Sequence, residues 1–292
     1  MRLSTQTSFY NSSIAEGRYT PMLEVVRRSH AAGFKVFEAS FCRALYRQND
    51  LAEDNWEPLI HELRNEAEKL GVEFAQSHPV FIPANYNEKP VVMQETYHKL
   101  MERSIIASAM LGVKWAVLHP VEEREAACFD TEYNIQKNKE FFGPVIELAR
   151  KHNVGILFEN MIERENSKRR FCSHAGELAA LIDSFNDPNI GACWDFGHGN
   201  FLYKDQRAAL RTLGTRMKGT HVQDNRGKED DHMLPFHGNI DWYSIMPFLT
   251  EMGYEGDFNF EIHKEFDAMP DQVRDDLAKV AYKVGTYCLS LA

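Results

Sequence analysis

The sequence lacks the features that mark several large classes of protein. Its five cysteines are an odd number with no C-x-x-C pair, which argues against a disulfide framework and against a cysteine zinc knuckle. No run approaches the ~20 apolar residues of a membrane-spanning helix, and residues 1–13 do not resemble a secretory leader. We therefore expect a cytoplasmic chain without a membrane segment.

Basic charge is also scarce. The 292 residues include 33 Lys and Arg against 43 Asp and Glu, a formal net charge of −10 with the histidines neutral. Because such a chain is poorly matched to a phosphate backbone, nucleic acid is not an expected partner. The rest of the composition, 43% hydrophobic and 26% charged, is that of a globular protein, and the length suits two domains or one (β/α)8 barrel.

Two hydrophobic periodicities alternate along the chain. Short apolar runs typical of buried strands occupy residues 3–9, 35–41, 72–78, 115–119, 155–160, 190–195, 217–222 and 257–262. Amphipathic helical stretches include residues 55–70, 91–111, 134–152, 174–185, 242–252 and 271–291. This α/β pattern predicts a single (β/α)8 TIM barrel domain over residues 1–292, with its active site at the C-terminal ends of the strands. An open doubly wound sheet is the alternative, but the Gly-rich phosphate turn typical of it does not occur.

Potential metal ligands stand at the ends of six predicted strands. They are His78, His119, Glu159, Asp195 with His198 three residues later, His221 and Glu261. Burying Glu159, Asp195 and Glu261 together without a cation is costly, because like charges repel in a low dielectric and each loses its hydration. Carboxylate and imidazole ligands suit Mn²⁺, Mg²⁺, Co²⁺ or Zn²⁺, so we expect a divalent metal cofactor.

Each of these residues also has a purely structural interpretation. A lone histidine at a strand end, such as His78 or His119, is more often a hydrogen-bonded residue than a ligand. Glu159 could cap a helix, and Asp195 could begin the turn DFGHG. The joint pattern, with one such residue on each consecutive strand, is what favours a metal site.

The loop after the seventh predicted strand adds a further cluster. Its Asp230 and His232 either complete or enlarge a metal site or belong to a solvated polar loop. Asp241, at the end of the loop, is expected to be the N-cap of the helix that begins at Trp242.

Taken in order, these segments resemble the xylose isomerase-like TIM barrel superfamily, the group of sugar phosphate isomerases and epimerases and family 2 AP endonucleases. The resemblance rests on SHP at 77–79, LHP at 118–120, FEN at 158–160, WDFGH at 194–198, THVQDN at 220–225, DDH at 230–232, GNIDW at 238–242 and FEI at 260–262. By analogy with the ketose epimerases of this group, it implies one divalent metal with the ligands Glu159, Asp195, His221 and Glu261.

The resemblance also implies a reaction on a sugar or sugar phosphate. An isomerase or epimerase of this kind moves a proton through a metal-stabilised enediolate, with Glu159 and Glu261 as acid and base. The further substrate-binding candidates are His78, His119, His198, Glu165 and Arg226. Glu165 matches a carboxylate six residues beyond the first Glu, whereas the Arg expected six residues beyond the metal-binding His is replaced by Gly227, next to Arg226.

Two alternatives use the same residues. A polyol or keto-acid dehydratase needs the same metal site and a different leaving group. Endonuclease IV, of the same superfamily, binds three zinc ions, and matches to its remaining ligands are His78, His119, His198, Asp230 and His232. Because no basic stretch with interleaved aromatic residues is evident, a small carbohydrate substrate and one metal ion are favoured over DNA and three ions. A homo-oligomer is compatible with the sequence.

Overall fold

The fold is a parallel barrel. The computed structural model describes residues 1–11, 19–83, 86–121, 130–163, 170–267 and 269–292. Within them, eight strands pair in parallel in the order β7-β6-β5-β4-β3-β2-β1-β8. They are β1 (Leu3–Gln6), β2 (Val36–Ser40), β3 (Glu73–His78), β4 (Trp115–Leu118), β5 (Gly155–Glu159), β6 (Ile190–Asp195), β7 (Met217–His221) and β8 (Phe258–Phe260). Each strand lies within the apolar run that predicted it, and the predicted barrel is confirmed.

The barrel closes between β7 and β8. Val222, directly after β7, forms a parallel bridge with Phe260. Its N–H donates to the carbonyl of Asn259 at 2.7 Å, and its carbonyl accepts from the N–H of Glu261 at 2.9 Å. Because β8 also pairs with β1, the strands surround one opening at their C-terminal ends.

Ten α-helices connect and follow the strands in the described part of the chain. They are α1 (Met22–Ala32), α2 (Trp56–Leu70), α3 (Val91–Met110), α4 (Thr131–Lys151), α5 (Ala175–Phe185), α6 (Phe196–Gly199), α7 (Arg207–Leu213), α8 (Trp242–Glu251), α9 (His263–Asp267) and α10 (Asp271–Ser290). The predicted start of α4 at residue 134 is three residues late. The carboxylate of Asp130 accepts hydrogen bonds from the N–H groups of Glu132 and Tyr133 and so caps an earlier turn.

Inside the barrel, side chains at alternating strand positions form two layers. The upper layer contains the strand-end residues His78, His119, Glu159, Asp195, His221 and Glu261. The lower layer contains Gln6, Glu38, Gln76, Val117, Leu157, Cys193, Gly219 and Asn259, and all of them are buried. Val117, Leu157 and Cys193 form a small apolar cluster of their own, so the lower layer is apolar beside β4–β6 and polar beside β8, β1, β2 and β3.

The main hydrophobic core lies between the outer face of the sheet and the helices. It includes Phe37, Phe158 and Trp194 on the strands and Leu178 and Trp242 on the helices, each almost fully buried. Strands covered on both faces need continuous apolar runs, which explains why the sequence pattern locates all eight. None of the helices in the described ranges has the length and apolarity needed to cross a membrane.

Candidate active site and metal centre

Four of the predicted metal ligands meet at the C-terminal opening of the barrel. Glu159, Asp195 and His221 are the last residues of β5, β6 and β7, and Glu261 directly follows β8. Nδ1 of His221 lies 3.2 Å from Oε2 of Glu159 and 3.4 Å from Oε2 of Glu261. One ligand atom from each of the four residues falls within 4.8 Å of the others, which is close enough for all four to hold one ion.

Several atoms of this group lack the partners that buried polar atoms normally have. Both carboxylate oxygens of Glu159, Oδ2 of Asp195 and Nδ1 of His221 are buried without a hydrogen-bond partner among the described residues. An unpaired buried oxygen or nitrogen costs about 1–3 kcal/mol, so four such atoms around one point form a group that could hold a cation. The donor set of three carboxylates and one imidazole fits a divalent metal ion.

Asp195 has a separate role for each carboxylate oxygen. Its Oδ1 accepts a hydrogen bond from the N–H of His198 at 2.7 Å and caps α6, while its Oδ2 faces the other ligands. Asn160, the last residue of the FEN segment, fixes the backbone of Asp195. Its Oδ1 accepts from the N–H of Asp195 at 2.6 Å, and its Nδ2 donates to the carbonyl of Asp195 at 3.0 Å.

A second group of potential ligands shares Glu159. Nε2 of His119 lies 3.2 Å from Oε2 of Glu159 and 3.2 Å from Nε2 of His78. Ligand atoms of His78, His119 and Glu159 again lie within 4.8 Å of one another.

The third group lies on α6 and on the loop after β7, next to Glu159 and Glu261. Nε2 of His232 is 3.1 Å from Oδ2 of Asp230, and Nε2 of His198 is 3.8 Å from Oδ1 of the same carboxylate. His263, at the start of α9, packs its ring 4.3 Å from that of His232 and forms a further candidate group with His232 and Glu261. The sequence pattern did not assign His263, because it lies beyond the strand-end position.

The rings of four histidines are oriented by hydrogen bonds on one side. Nδ1 of His78, His198 and His232 is bonded to the carbonyl oxygens of Pro79, Asn160 and Glu261, at 3.0, 2.8 and 2.8 Å. His221 is reversed, with Nε2 2.9 Å from Oε2 of Glu38. A carbonyl or carboxylate on one ring nitrogen places the proton there and leaves the other nitrogen as a ligand, the usual arrangement of metal-binding histidines.

Opposite charges compensate one another within the cluster. Burial and the charge of Glu159, partly offset by His198, raise the pKa of Asp195 to about 7. Burial opposes ionisation of Glu261, but His221 and His232 outweigh it and lower the pKa of this carboxyl to about 2. Burial likewise lowers the pKa of the His232 imidazole, and Asp230 more than reverses this, raising it to about 9. A metal ion would replace these protons as the counter-charge.

A polar cavity of about 330 Å³ lies above the cluster. The metal-ligand candidates in its lining are His119, Glu159, His198, Asp230, His232, Glu261 and His263. The lining also includes amides, hydroxyls and cations, namely Gln6, Ser8, Asn11, Ser40, Arg43, Gln48, Asn49 and Lys264. Phe81 is the aromatic residue in this lining.

The predicted substrate-binding residues are only partly brought together. His119 and His198 line the cavity, whereas His78 is 2% exposed and contacts Phe81 and His119 beneath its surface. Arg226 is exposed and donates to the carbonyl of His237 at 3.4 Å, away from the cavity lining. Neither His78 nor Arg226 is part of the cavity lining. Glu165 lies outside the described residues.

The fold and the strand-end cluster together define the class of protein. Residues 26–282 match the family described as xylose isomerase-like TIM barrel, and the chain belongs to that family. The uncharacterized protein y4fM of Sinorhizobium fredii is 28% identical over 172 residues, which are 56% of this chain and 51% of that protein. The chain thus spans about half the length of this curated relative.

Solved structures of low sequence identity share the whole fold. An L-ribulose 3-epimerase is 20% identical with a TM-score of 0.73, and the match covers 99% of this chain and 94% of that one. A D-psicose 3-epimerase from Clostridium cellulolyticum H10, solved with D-tagatose, is 15% identical with a TM-score of 0.73 and 99% coverage of both chains. At these identities the similarity shows the barrel architecture.

Proposed function

We propose that the protein is a divalent-metal-dependent isomerase or epimerase that acts on a sugar or sugar phosphate. The observation that carries this proposal is the four-ligand group of Glu159, Asp195, His221 and Glu261, with its unpartnered atoms, beneath a polar cavity. A cavity of about 330 Å³ lined by amides, hydroxyls and imidazoles suits a small polyhydroxylated molecule. The epimerases among the structural relatives support the same substrate class.

Glu159 and Glu261 are the proposed acid and base. They reach the cavity from β5 and β8, three strands apart, so a bound sugar has a carboxylate on either side. One carboxylate removes the proton from the carbon beside the sugar carbonyl, and the other returns a proton. The metal ion, when bound, stabilises the negative charge that develops on the neighbouring oxygens. His198 presents Nε2 to a sugar oxygen, because its Nδ1 is bonded to the carbonyl of Asn160.

Solvent-deuterium exchange tests the acid and base roles. Glu159→Gln and Glu261→Gln should each lower the rate of deuterium incorporation into a panel of ketoses and ketose phosphates by at least about 10²-fold, because proton transfer contributes about 10²–10⁴-fold. Exchange is followed by NMR at saturating Mn²⁺, with bound metal measured in each sample. Glu177→Gln, which alters a buried carboxylate on α5, is the matched control and should exchange at the wild-type rate. Wild-type exchange in both site variants would refute the assignment.

A second candidate function, phosphodiester hydrolysis at a trinuclear zinc site, is favoured by one observation. Besides the four-ligand group, the structure brings together His78, His119 and Glu159 as one group and His198, Asp230 and His232 as another. Clustered metal ions supply the positive potential that a phosphodiester needs even on an acidic chain.

Metal analysis and two activity assays separate the two functions. If the protein is an isomerase or epimerase, elemental analysis of the purified protein gives about one tightly held ion, and the protein converts a ketose without incising duplex DNA that contains an abasic site. About three zinc ions per chain together with incision of that DNA would establish the second function instead. Release of water from a polyol or keto acid would identify a dehydratase.

A further inference from the structure

A buried carboxylate lies directly beneath the candidate metal centre. Glu38, in the middle of β2, is 0% exposed and belongs to the lower layer of the barrel. Its Oε1 accepts from Nε2 of Gln6 at 2.8 Å. Its Oε2 is bonded to Nε2 of His221 at 2.9 Å and accepts from Nδ2 of Asn259 at 3.1 Å and from Nε2 of Gln76. Four donors from β1, β3, β7 and β8 therefore converge on one side chain.

This environment is matched to a carboxylate and not to an amide. An ionised Glu accepts hydrogen bonds only, and here four N–H donors approach its two oxygens, three at Oε2 and one at Oε1. A glutamine at position 38 would turn an NH2 group towards at least one of these donors. Because Glu38 accepts only, the proton shared with it is on Nε2 of His221, and Nδ1 is the nitrogen that faces Glu159 and Glu261.

The same network reaches a second ligand through Gln6. Nε2 of Gln6 donates to Oε1 of Glu261 at 2.8 Å as well as to Glu38, and Oε1 of Gln6 accepts from the hydroxyl of Ser8 at 2.8 Å. Because the carboxylates of Glu38 and Glu261 accept only, they fix which end of the Gln6 amide is the donor. Oε1 of Glu261 is thereby occupied, and Oε2 is the oxygen left to face the other ligands.

We infer that Glu38 is a positioning residue for the metal centre, holding His221 directly and Glu261 through Gln6. The inference rests on the metal binding proposed above. Carboxylate partners of metal-binding histidines fix the tautomer and the ring orientation, and their loss costs about 10–100-fold in metal affinity. Glu38 does not touch the cavity, so its effect on any substrate is indirect.

Metal titration of the full chain is the principal test. Wild-type protein, Glu38→Gln and the control Glu177→Gln are stripped with a chelator and titrated with Co²⁺, with affinity and the visible d–d spectrum as readouts. The control changes a buried carboxylate that accepts from the N–H of Cys172, far along the chain from this network. We expect Glu38→Gln to bind Co²⁺ about 10–100-fold more weakly with an altered spectrum, and Glu177→Gln to match wild type. Equal affinity and equal spectra for all three proteins would overturn the inference. Absence of Co²⁺ binding in wild type would instead refute the proposed function.

A measurement on the wild-type protein keeps the inference testable if Glu38→Gln does not fold. In the Zn²⁺-loaded chain with ¹⁵N-labelled histidine, His221 should carry its proton on Nε2 and show Nδ1 as the metal-bound nitrogen in long-range ¹H–¹⁵N spectra. The assignment is made with a His221→Asn sample. Metal on Nε2, or a proton on Nδ1, would contradict a positioning role for Glu38.

Discussion

Single residues in this site combine structural and ligand roles. Asp195 is both the N-cap of α6, through Oδ1, and a member of the four-ligand group, through Oδ2. The two interpretations of this residue that the sequence leaves open are therefore compatible. The ring of His221 is held by Glu38 on one side and faces two carboxylates on the other. A residue type alone does not determine such a role, because the direction of each lone pair decides it.

The strand-end ligands could be predicted because a polar residue that ends an apolar strand is conspicuous. Glu38 and Gln6 do not follow from this pattern, because their side chains lie one layer deeper in the barrel. The signal was present in GFKVFEAS, where a charged residue interrupts an otherwise apolar strand. The partners of Glu38 come from four different strands, and no local pattern reveals such a long-range arrangement.

Asn160→Ala tests the backbone clamp on Asp195. The substitution removes both hydrogen bonds that the Asn160 side chain makes with the buried backbone of Asp195, so we expect a loss of about 2–3 kcal/mol in the free energy of unfolding. Urea unfolding in EDTA measures this without a contribution from metal. Asn189→Ala, which removes one side-chain hydrogen bond from an exposed turn, should cost less than about 1 kcal/mol. Equal losses in the two variants would show that the clamp is not important for stability.

At the scale of elements, one carboxylate organises the long loop after β7. Asp224 is fully buried and accepts hydrogen bonds from the N–H groups of Asn225, Phe236 and Ile240 and from the indole of Trp242. These bonds join both ends of the segment that carries Asp230 and His232. The loop is consequently part of the barrel structure and not only a solvated connection.

Two aspartates of this loop give contrasting predictions. Asp224→Ala leaves several buried donors without an acceptor and should lower the free energy of unfolding by about 3 kcal/mol or more. Asp241→Ala removes only the N-cap of α8, where the carboxylate accepts from the N–H of Ser244 at 3.3 Å, and should cost about 1 kcal/mol. Urea denaturation of both metal-free variants measures the difference. The prediction fails if Asp241→Ala is the more destabilised protein.

Most helix and strand positions were predictable, and the errors have local causes. The strand predictions are one to three residues too long at several ends, because the predicted runs continue into loops beyond the last hydrogen-bonded strand residue. For example, β1 ends at Gln6, although the predicted run extends to residue 9. The short helices α6, α7 and α9 contain too few turns to show a helical period. The position of the loop after β7 beside the opening could not be predicted, because it depends on tertiary contacts that no local sequence pattern shows.

For the whole molecule, the four-ligand group joins one half of the barrel. Its residues come from β5, β6, β7 and β8, so a bound ion links four consecutive strands. Any ligand that binds the folded state alone stabilises it by mass action, by about 2.7 kcal/mol at 100 times the dissociation constant.

Metal removal should therefore lower the unfolding temperature. At about 2 °C per kcal/mol for a chain of this size, calorimetry should show a decrease of about 5 °C when EDTA replaces saturating metal. Asp195→Asn removes one ligand and should abolish most of this difference, while Glu177→Gln should retain it. A full metal-dependent shift in Asp195→Asn would place the stabilising ion at another group of residues.

The barrel can close only after β8 has been synthesised. β8 is the last strand of the sheet to be synthesised, and it fits between β1 and β7. A growing chain that ends before residue 257 has seven strands at most, with β1 and β7 as unpaired edges and no Glu261. The four-ligand group becomes complete in the same step that joins the edges. A metal ion that needs all four residues can therefore bind only after β8 has joined the two edges of the sheet.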